Sequence, residues 1–362
     1  MTLGRGLLRV GLLLVVAALL AAAYLSLAPI GDAAPHPFNP DRNAVWLAHR
    51  WLEKEQTTPQ MEALLSGLAR RGVSYVYPHL IPFDASGRLP PHNREQMRSF
   101  LAVARRVAPE MKVLPWVGGL RVGYKRTIQG TVDLSNMGQR QMIMAECRGL
   151  VDEGFDGVHL NVEPIGDGNT DFLALLRAIR TALGPDHILS LSATRPGPVS
   201  LPIARNFFWT TGYYDRVAAE ADQVVVMAYD TGLPTPILYR RYVSYAAAKV
   251  TSELVRTHAR ARVLVGIPSY DETGLMHRAG VETLENGLLG CVAGLRGVGG
   301  GGTFEGVALY AEWTTEPKEW AVYERVWRGQ DPGTSTLAAP AALQHPEPSG
   351  QPVEHDGREQ HR

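Results

Sequence analysis

Residues 154–166 read GFDGVHLNVEPIG, and three side chains within that stretch could do chemistry together. His159, Asn161 and Glu163 stand two apart, so on an extended strand they share one face with Gly157. Val158, Leu160 and Val162 take the other face, suited to packing under helices. The strand thus carries an imidazole, an amide and a carboxylate on one side and ends on the carboxylate. A carboxyl group at such a strand end can protonate a leaving group if its surroundings keep it protonated. A satisfied internal hydrogen-bond network is the competing structural account of the same three residues.

Other strand-like runs end on residues that complement a carboxylate. QVVVMAYD (223–230) sets Met227 and Tyr229 on one face, with the phenol near its end. GVALYAEW (306–313) ends on Trp313, and KVLPWVGG (112–119) carries Trp116. Rings around a carboxylate suit a sugar, because a pyranose stacks on indole while a phenol donates a hydrogen bond. Each ring alone reads more readily as core than as a ligand platform. Grouped with Glu163, they read as a glycan platform.

These residues need a scaffold that brings strand ends together. Between Asn43 and Arg328 short β-rich runs alternate with helical patterns. Besides the four runs above, strands are expected at AVWLAH (44–49), VSYVYPHL (73–80), HILSLSAT (187–194) and RVLVGIPSY (262–270). TPQMEALLSGLARRG and TDFLALLRAIRTALG are helical; in the second, Phe172, Leu175, Leu176 and Ile179 recur at helical spacing and Gly184 stands at the C-cap. Eight strands with helical crossovers define the expected fold class: α/β, a single-domain (β/α)8 TIM barrel over residues 43–328. No Gly-rich phosphate loop follows an early strand, which argues against an open doubly wound sheet. In the barrel, Glu163 lies at the C-terminal strand end, where this architecture places chemistry.

The 362 residues suffice for one large core, and a formal net charge of zero leaves no electrostatic footprint for nucleic acid. Cys147 and Cys291 fall on separate outer helices, so two buried unpaired thiols are expected. Residues 1–35 form a leader: Arg5 and Arg9 precede the uncharged run from Val10 to Ile30. That run is about long enough to span a bilayer, with the bulk of the chain outside. An uncleaved anchor and a cleaved signal, with Ala33 and Ala34 at the cut, both stay open. Either exports the domain. Residues 330–362, rich in Pro, Gly, Gln and His, read as a disordered tail. The expected partner is a glycan substrate, the membrane is met only through the leader, and the domain is expected to be a monomer.

The motifs together resemble glycoside hydrolase family 18, the chitinase and endo-β-N-acetylglucosaminidase barrels. The family's strand-four signature D-G-x-D-x-D-x-E is similar to Asp156-Gly157-Val158-His159-Leu160-Asn161-Val162-Glu163. Its strand-six M-x-Y-D is similar to Met227-Ala228-Tyr229-Asp230, GIPSY (266–270) to its strand-seven segment, and Trp313 to its strand-eight floor tryptophan. The resemblance spans residues 44 to 320 and implies a substrate-assisted reaction, an exception to the two-carboxylate scheme. It makes Glu163 general acid and then base. Asn161 would hold the substrate acetamide, whose carbonyl attacks the anomeric carbon, and Tyr229 would orient that carbonyl. Trp313 would underlie the sugar, with Trp116, Met227, Asp230, His159 and Tyr270 completing the substrate-binding set.

Two departures bear on this. His159 and Asn161 replace acidic residues of the signature, so the strand offers Glu163 no neighbouring carboxylate, and desolvation must keep it protonated. Asp156 lies about 20 Å below it along the strand and is structural. The stretch from Asp271 to Glu305 leaves no room for the α+β insertion that deepens some family members, so an open cleft is expected. Two alternatives remain. One is a non-catalytic carbohydrate-binding barrel; the other is a retaining glycosidase pairing Glu163 with Asp271 or Glu272 at about 5 Å. A metal hydrolase using His49, His79 and His159 lacks the usual ligand spacings, so no metal and no cofactor is expected.

Overall fold

The eight β-rich runs become eight parallel strands that close on themselves. The computed structural model describes residues 36–80, 82–121, 131–197, 207–299 and 302–330. The barrel strands are β1 (Asn43–Leu47), β2 (Val73–Pro78), β3 in two pieces (Lys112–Val113 and Trp116–Arg121), β4 (Gly157–Glu163), β5 (Ile188–Ala193), β6 (Gln223–Met227), β7 (Arg262–Pro268) and β8 (Phe304–Tyr310), and a further two-residue strand, Thr131–Val132, pairs in parallel with the end of β3. Around them lie α1 (Thr58–Arg70), α2 (Arg94–Val107), α3 (Met137–Asp152), α4 (Thr170–Leu183), α5 (Thr211–Glu220), α6 (Pro236–Arg256), α7 (Leu284–Val298) and α8 (Pro317–Val322). Gly184 caps α4 with φ 74°, a left-handed conformation that glycine adopts without steric cost.

Closure runs through β1 and β3. β1 pairs with β2 on one side and β8 on the other, Ala44 opposite Ala308. β4 to β8 pair in sequence order. The first piece of β3 pairs with β2 and the second with β4, Trp116 opposite His159. The interruption falls at Leu114–Pro115, where proline has no N–H for a ladder. A bridge between His79 and Trp116 joins β2 to β3 beyond it. The ring is complete.

The outer faces of the strands pack on the helices. Val158, Leu160 and Val162 join Ile143, Cys147, Leu150, Phe172 and Leu176 in one large core. Both thiols are buried and free. The interior of the ring is different: Trp46, Tyr75, Tyr77, Val225, Leu264 and Ala308 form a separate inner cluster, threaded by polar groups. Tyr75 donates to Glu305 (2.8 Å), Tyr77 and Ser190 both donate to Gln223 (2.5 and 2.7 Å), and Gln223 reaches Glu305 (3.3 Å). Small and amide side chains let this column fill the barrel without stranding a polar atom.

Two strand ends differ from the sequence expectation. β6 stops at Met227, and the chain turns at Asp230, whose φ is 52°. β8 stops at Tyr310, because the amides of Thr314 and Thr315 fold back on the Ala311 carbonyl (both 3.1 Å). Trp313 therefore rides on a turn rather than a strand. The leader (1–35) and the tail beyond Gln330 lie outside the described residues. Among the described residues no helix is long and apolar enough to cross a membrane.

The bottom of the barrel is tied by Asn43. Its amide donates to Asn39 and to the Gly72 carbonyl, while its Oδ1 accepts from the Val307 amide (3.0 Å) and the Trp327 indole (2.8 Å). Asn43→Ala strands two buried donors where β1, β8 and the helical turn Tyr323–Trp327 meet. It is expected to cost about 3 kcal/mol, seen as a lower urea midpoint with an unchanged slope.

Candidate active site

At the top of β4 the backbone comes unusually close to β3. A Cβ on Gly118 would sit 1.7 Å from the Asn161 carbonyl oxygen, so only glycine lets the two strands meet there. Gly157, at φ 151°, does the same at the bottom, its Cβ position 2.0 Å from the Ile188 carbonyl oxygen. Asp156, below it, accepts from the Val113 amide (2.9 Å) and pairs with Arg105 and Lys112. It is structural, as the strand length implies.

Glu163 and Asn161 stand together at the mouth. The Asn161 amide donates to a Glu163 carboxylate oxygen at 3.3 Å. Its own Oδ1 is buried and has no hydrogen-bond partner among the described residues. A buried acceptor without a donor is costly, which marks this atom as awaiting one. Burial pushes the Glu163 carboxyl above its usual range; the Asn161 amide opposes this, Asp230 adds to it, and Arg195 pulls it back. The like charge absent from β4 is thus supplied from beyond β6.

His159 belongs elsewhere. It is 0% exposed, stacked on Tyr77 at 3.9 Å, with its ring nitrogens 2.8 and 3.0 Å from Ser190 and Ser192. Burial lowers its pKa to about 3, so it stays neutral. His159 is therefore removed from the substrate-binding set: it lies one layer beneath the mouth, and the structural account of this residue holds. The same strand face carries both core and site, because depth along the barrel separates them.

An aromatic cluster adjoins Glu163, whose charge acts on the Tyr229 and Tyr310 phenols. Tyr229 stacks on Tyr310 (5.3 Å, 18°), and Tyr310 also meets Trp46, Trp116 and Trp313 edge-on at 5.4, 6.1 and 5.6 Å. Trp116 and Trp313 are half-buried, each with surface left for a ligand. Burial, Tyr310 and the charges of Glu163 and Asp230 hold the Tyr229 phenol well above its normal pKa, so it remains a donor. Met227 is half-buried at the end of β6, opposite Gly266. Tyr270 donates to Asp230 at 2.6 Å and crosses Tyr229 edge-on at 6.4 Å.

Three residues were missed from sequence. Tyr310 follows Ala308 on the inward face of β8, a signal the alternation contained. Arg195 donates to the Tyr229 and Asp230 carbonyls (2.9 and 2.6 Å), holding the turn that carries the phenol. No local pattern marks it. His277, in the loop before α7, sits 3.5 Å from Asp230 and from Glu282. Asp230, His277 and Glu282 bring donor atoms within 4.8 Å of one another, but Tyr270, Thr231 and Gly232 already donate to the two carboxylates. His49, His79 and His159 form no such group among the described residues.

Of the two carboxylates that could pair with Glu163, Asp271 is exposed and bridged to Lys318 at 3.2 Å, while the charge of Glu272 acts on the Tyr310 phenol. Between β7 and β8 the described residues form a loop and α7, with no added strand.

A closed parallel barrel with a half-buried carboxyl and aromatic rings at its mouth is the build of a barrel glycoside hydrolase. The model of the glycosyl hydrolases family 18 matches residues 56–331, and the chain belongs to that family. No curated protein sequence matches it. Its fold is similar to the C-terminal domain of a putative chitinase from Desulfitobacterium hafniense, at 14% identity and a TM-score of 0.54, over 79% of this chain and 97% of that one. It is similar to the spore cortex-lytic enzyme SleL from Bacillus megaterium at 13% identity and a TM-score of 0.53, over 80% and 75%. A chitinase from Cycas revoluta solved with (GlcNAc)4 aligns at 15% identity and a TM-score of 0.50, over 79% and 98%.

The raised pKa of Glu163 makes its ionisation a cost to the fold. A carboxyl with a folded pKa above its unfolded value destabilises progressively as pH rises between the two. Glu163→Gln is therefore expected to melt higher than the parent at pH 7 to 8, with the difference vanishing below about pH 4.5. Parallel thermal melts across that range measure it.

Proposed function

We propose that this protein hydrolyses a β-linked N-acetylglucosamine-containing glycan by a substrate-assisted, retaining mechanism. The observation that carries the reading is the Oδ1 of Asn161, without a hydrogen-bond partner among the described residues, beside a Glu163 carboxyl that burial biases toward its protonated form. An acetamide N–H donating to that oxygen would place the acetyl carbonyl under the anomeric carbon. The Tyr229 phenol then hydrogen-bonds the same carbonyl and fixes its direction of attack.

Charge follows a defined course in this scheme. Glu163 gives its proton to the glycosidic oxygen as the bond breaks, while the acetyl oxygen closes on the anomeric carbon and an oxazolinium ion forms. Asn161 orients the acetamide but carries no charge, so the ionised Glu163 and Asp230 supply the compensating negative field. Glu163 next draws a proton from water, which opens the ring with retention. Trp313, on its turn, supplies the floor, and Trp116 continues the platform toward β3. The commitment of Asp271 to Lys318 speaks against a two-carboxylate mechanism.

The apolar run from Val10 to Ile30 after Arg5 and Arg9 supports export, with the barrel outside the membrane and acting on an envelope or extracellular glycan. Both the anchored and the released form serve that role.

A chromogenic N-acetylglucosaminide oligomer tests the chemistry. The parent is expected to release the chromophore, Glu163→Gln to lose about 10³-fold in kcat, and Asn161→Ala about 10²-fold. A thiazoline analogue of the intermediate should inhibit the parent. Equal turnover of sugars lacking the N-acetyl group would refute the substrate-assisted scheme.

A further inference from the structure

The charge setting of Glu163 comes from outside its own strand. Asp230 is the carboxylate whose charge raises Glu163, yet it sits on a turn past the end of β6, where nothing in the sheet holds its side chain. Arg195 grips the backbone there through the two carbonyls. The side chain accepts a hydrogen bond from Tyr270 at 2.6 Å, and His277 Nδ1 lies at ion-pair distance from it, 3.5 Å.

His277 belongs to a loop that is itself fastened to the same turn. Glu282, with a side chain 0% exposed, accepts from the Thr231 amide (3.0 Å) and hydroxyl (2.7 Å) and from the Gly232 amide (3.1 Å). Gly232 also donates to the Met276 carbonyl at 2.6 Å. His277 is 4% exposed, lies 3.5 Å from both Asp230 and Glu282, and packs its ring on Tyr270 at 4.2 Å. Two carboxylates this close repel each other unless a cation separates them, and the imidazolium is the cation placed between them.

We propose that residues 271–283 act as a strap in which protonated His277 is a positioning residue, fixing Asp230 and thereby the setting of the general acid Glu163. This rests on the glycosidase reading and adds its charge control. The groups facing His277 are Asp230 after β6, Tyr270 after β7 and Glu282 before α7. Burial lowers the His277 pKa, but the two carboxylates more than offset it and hold it at about 9. The strap is thus fully formed below the ordinary imidazole value near 6.5 and is released as pH rises through about 9. A metal ion could bridge the same three residues, but Tyr270, Thr231 and Gly232 already hydrogen-bond the carboxylates, and a proton satisfies them without displacing any of those donors.

His277→Gln and His277→Arg, made in the full chain, test the strap. Nitrogen-15 spectra of the parent at pH 7.5 should show a doubly protonated His277 ring, unchanged by one equivalent of zinc. Hydrogen exchange at Thr231 and Gly232 should quicken at least tenfold in the Gln variant and recover in the Arg variant. On the chromogenic oligomer the Gln variant should lose about tenfold in kcat with little change in KM, and the Arg variant should regain most of it. The alkaline limb of the Gln variant should move to lower pH, because a displaced Asp230 no longer raises Glu163. Movement to higher pH would mean that His277 acts by its charge alone and would overturn the positioning role. Stoichiometric zinc binding lost in the Gln variant, or unchanged exchange at Thr231 and Gly232, would also overturn it. The spectra and exchange need no substrate, so a parent inactive on every N-acetylglucosaminide would sink the glycosidase reading while these two readouts still decide the strap.

Discussion

The desolvation of one carboxyl group at the mouth of the barrel governs the rest of this molecule. The Glu163 carboxyl is pushed above its usual range because ionising it there would forfeit hydration that one amide hydrogen bond from Asn161 does not replace. That state needs walls on every side but one. The closed ring supplies them: β3 comes within glycine distance of β4 at Gly118, and Tyr229, Tyr310 and Trp313 cover the flank.

Beneath the mouth, the barrel departs from the branched apolar layers usual in such interiors. His159, Ser190, Gln223, Tyr77, Tyr75 and Glu305 form a hydrogen-bonded column, with Arg42 pairing Glu305 at 3.3 Å where it nears the bottom. A neutral imidazole at position 159 suits this column, since its nitrogens meet two serine hydroxyls and its face meets Tyr77. A carboxylate in its place would bring a buried charge with no cation among those contacts. The loss of acidic residues from β4 is thus a property of the interior as well as of the site. It shifts the task of setting the charge at Glu163 to Asp230, and so to the loops above β6 and β7.

Much of this was legible in the chain itself. Period-two alternation announced the strands, and in β4 it separated Val158, Leu160 and Val162 from the inward residues correctly. The inward face of β8 was legible too, since Ala308 and Tyr310 alternate with Val307 and Leu309, although Trp313 drew attention away from it. His159 was assigned to the right face but the wrong depth. Alternation specifies which side a residue takes and carries no information on which layer of the barrel is sealed.

The sequence by itself determined the order of strands and helices, the inward stripe of β4 ending on Glu163, and the aromatic character of the strand ends. These are local properties, set by side-chain direction along an extended backbone and by the spacing of apolar residues. The tertiary structure alone decided that Asn161 keeps an oxygen unpartnered among the described residues, that Asp230 rather than a neighbour on β4 bears on Glu163, and that Arg195 and His277 hold the turn between them. Those relations join residues dozens of positions apart through the closure of the ring. Electrostatics acts across space, and no pattern along a chain records which distant charges closure will bring together.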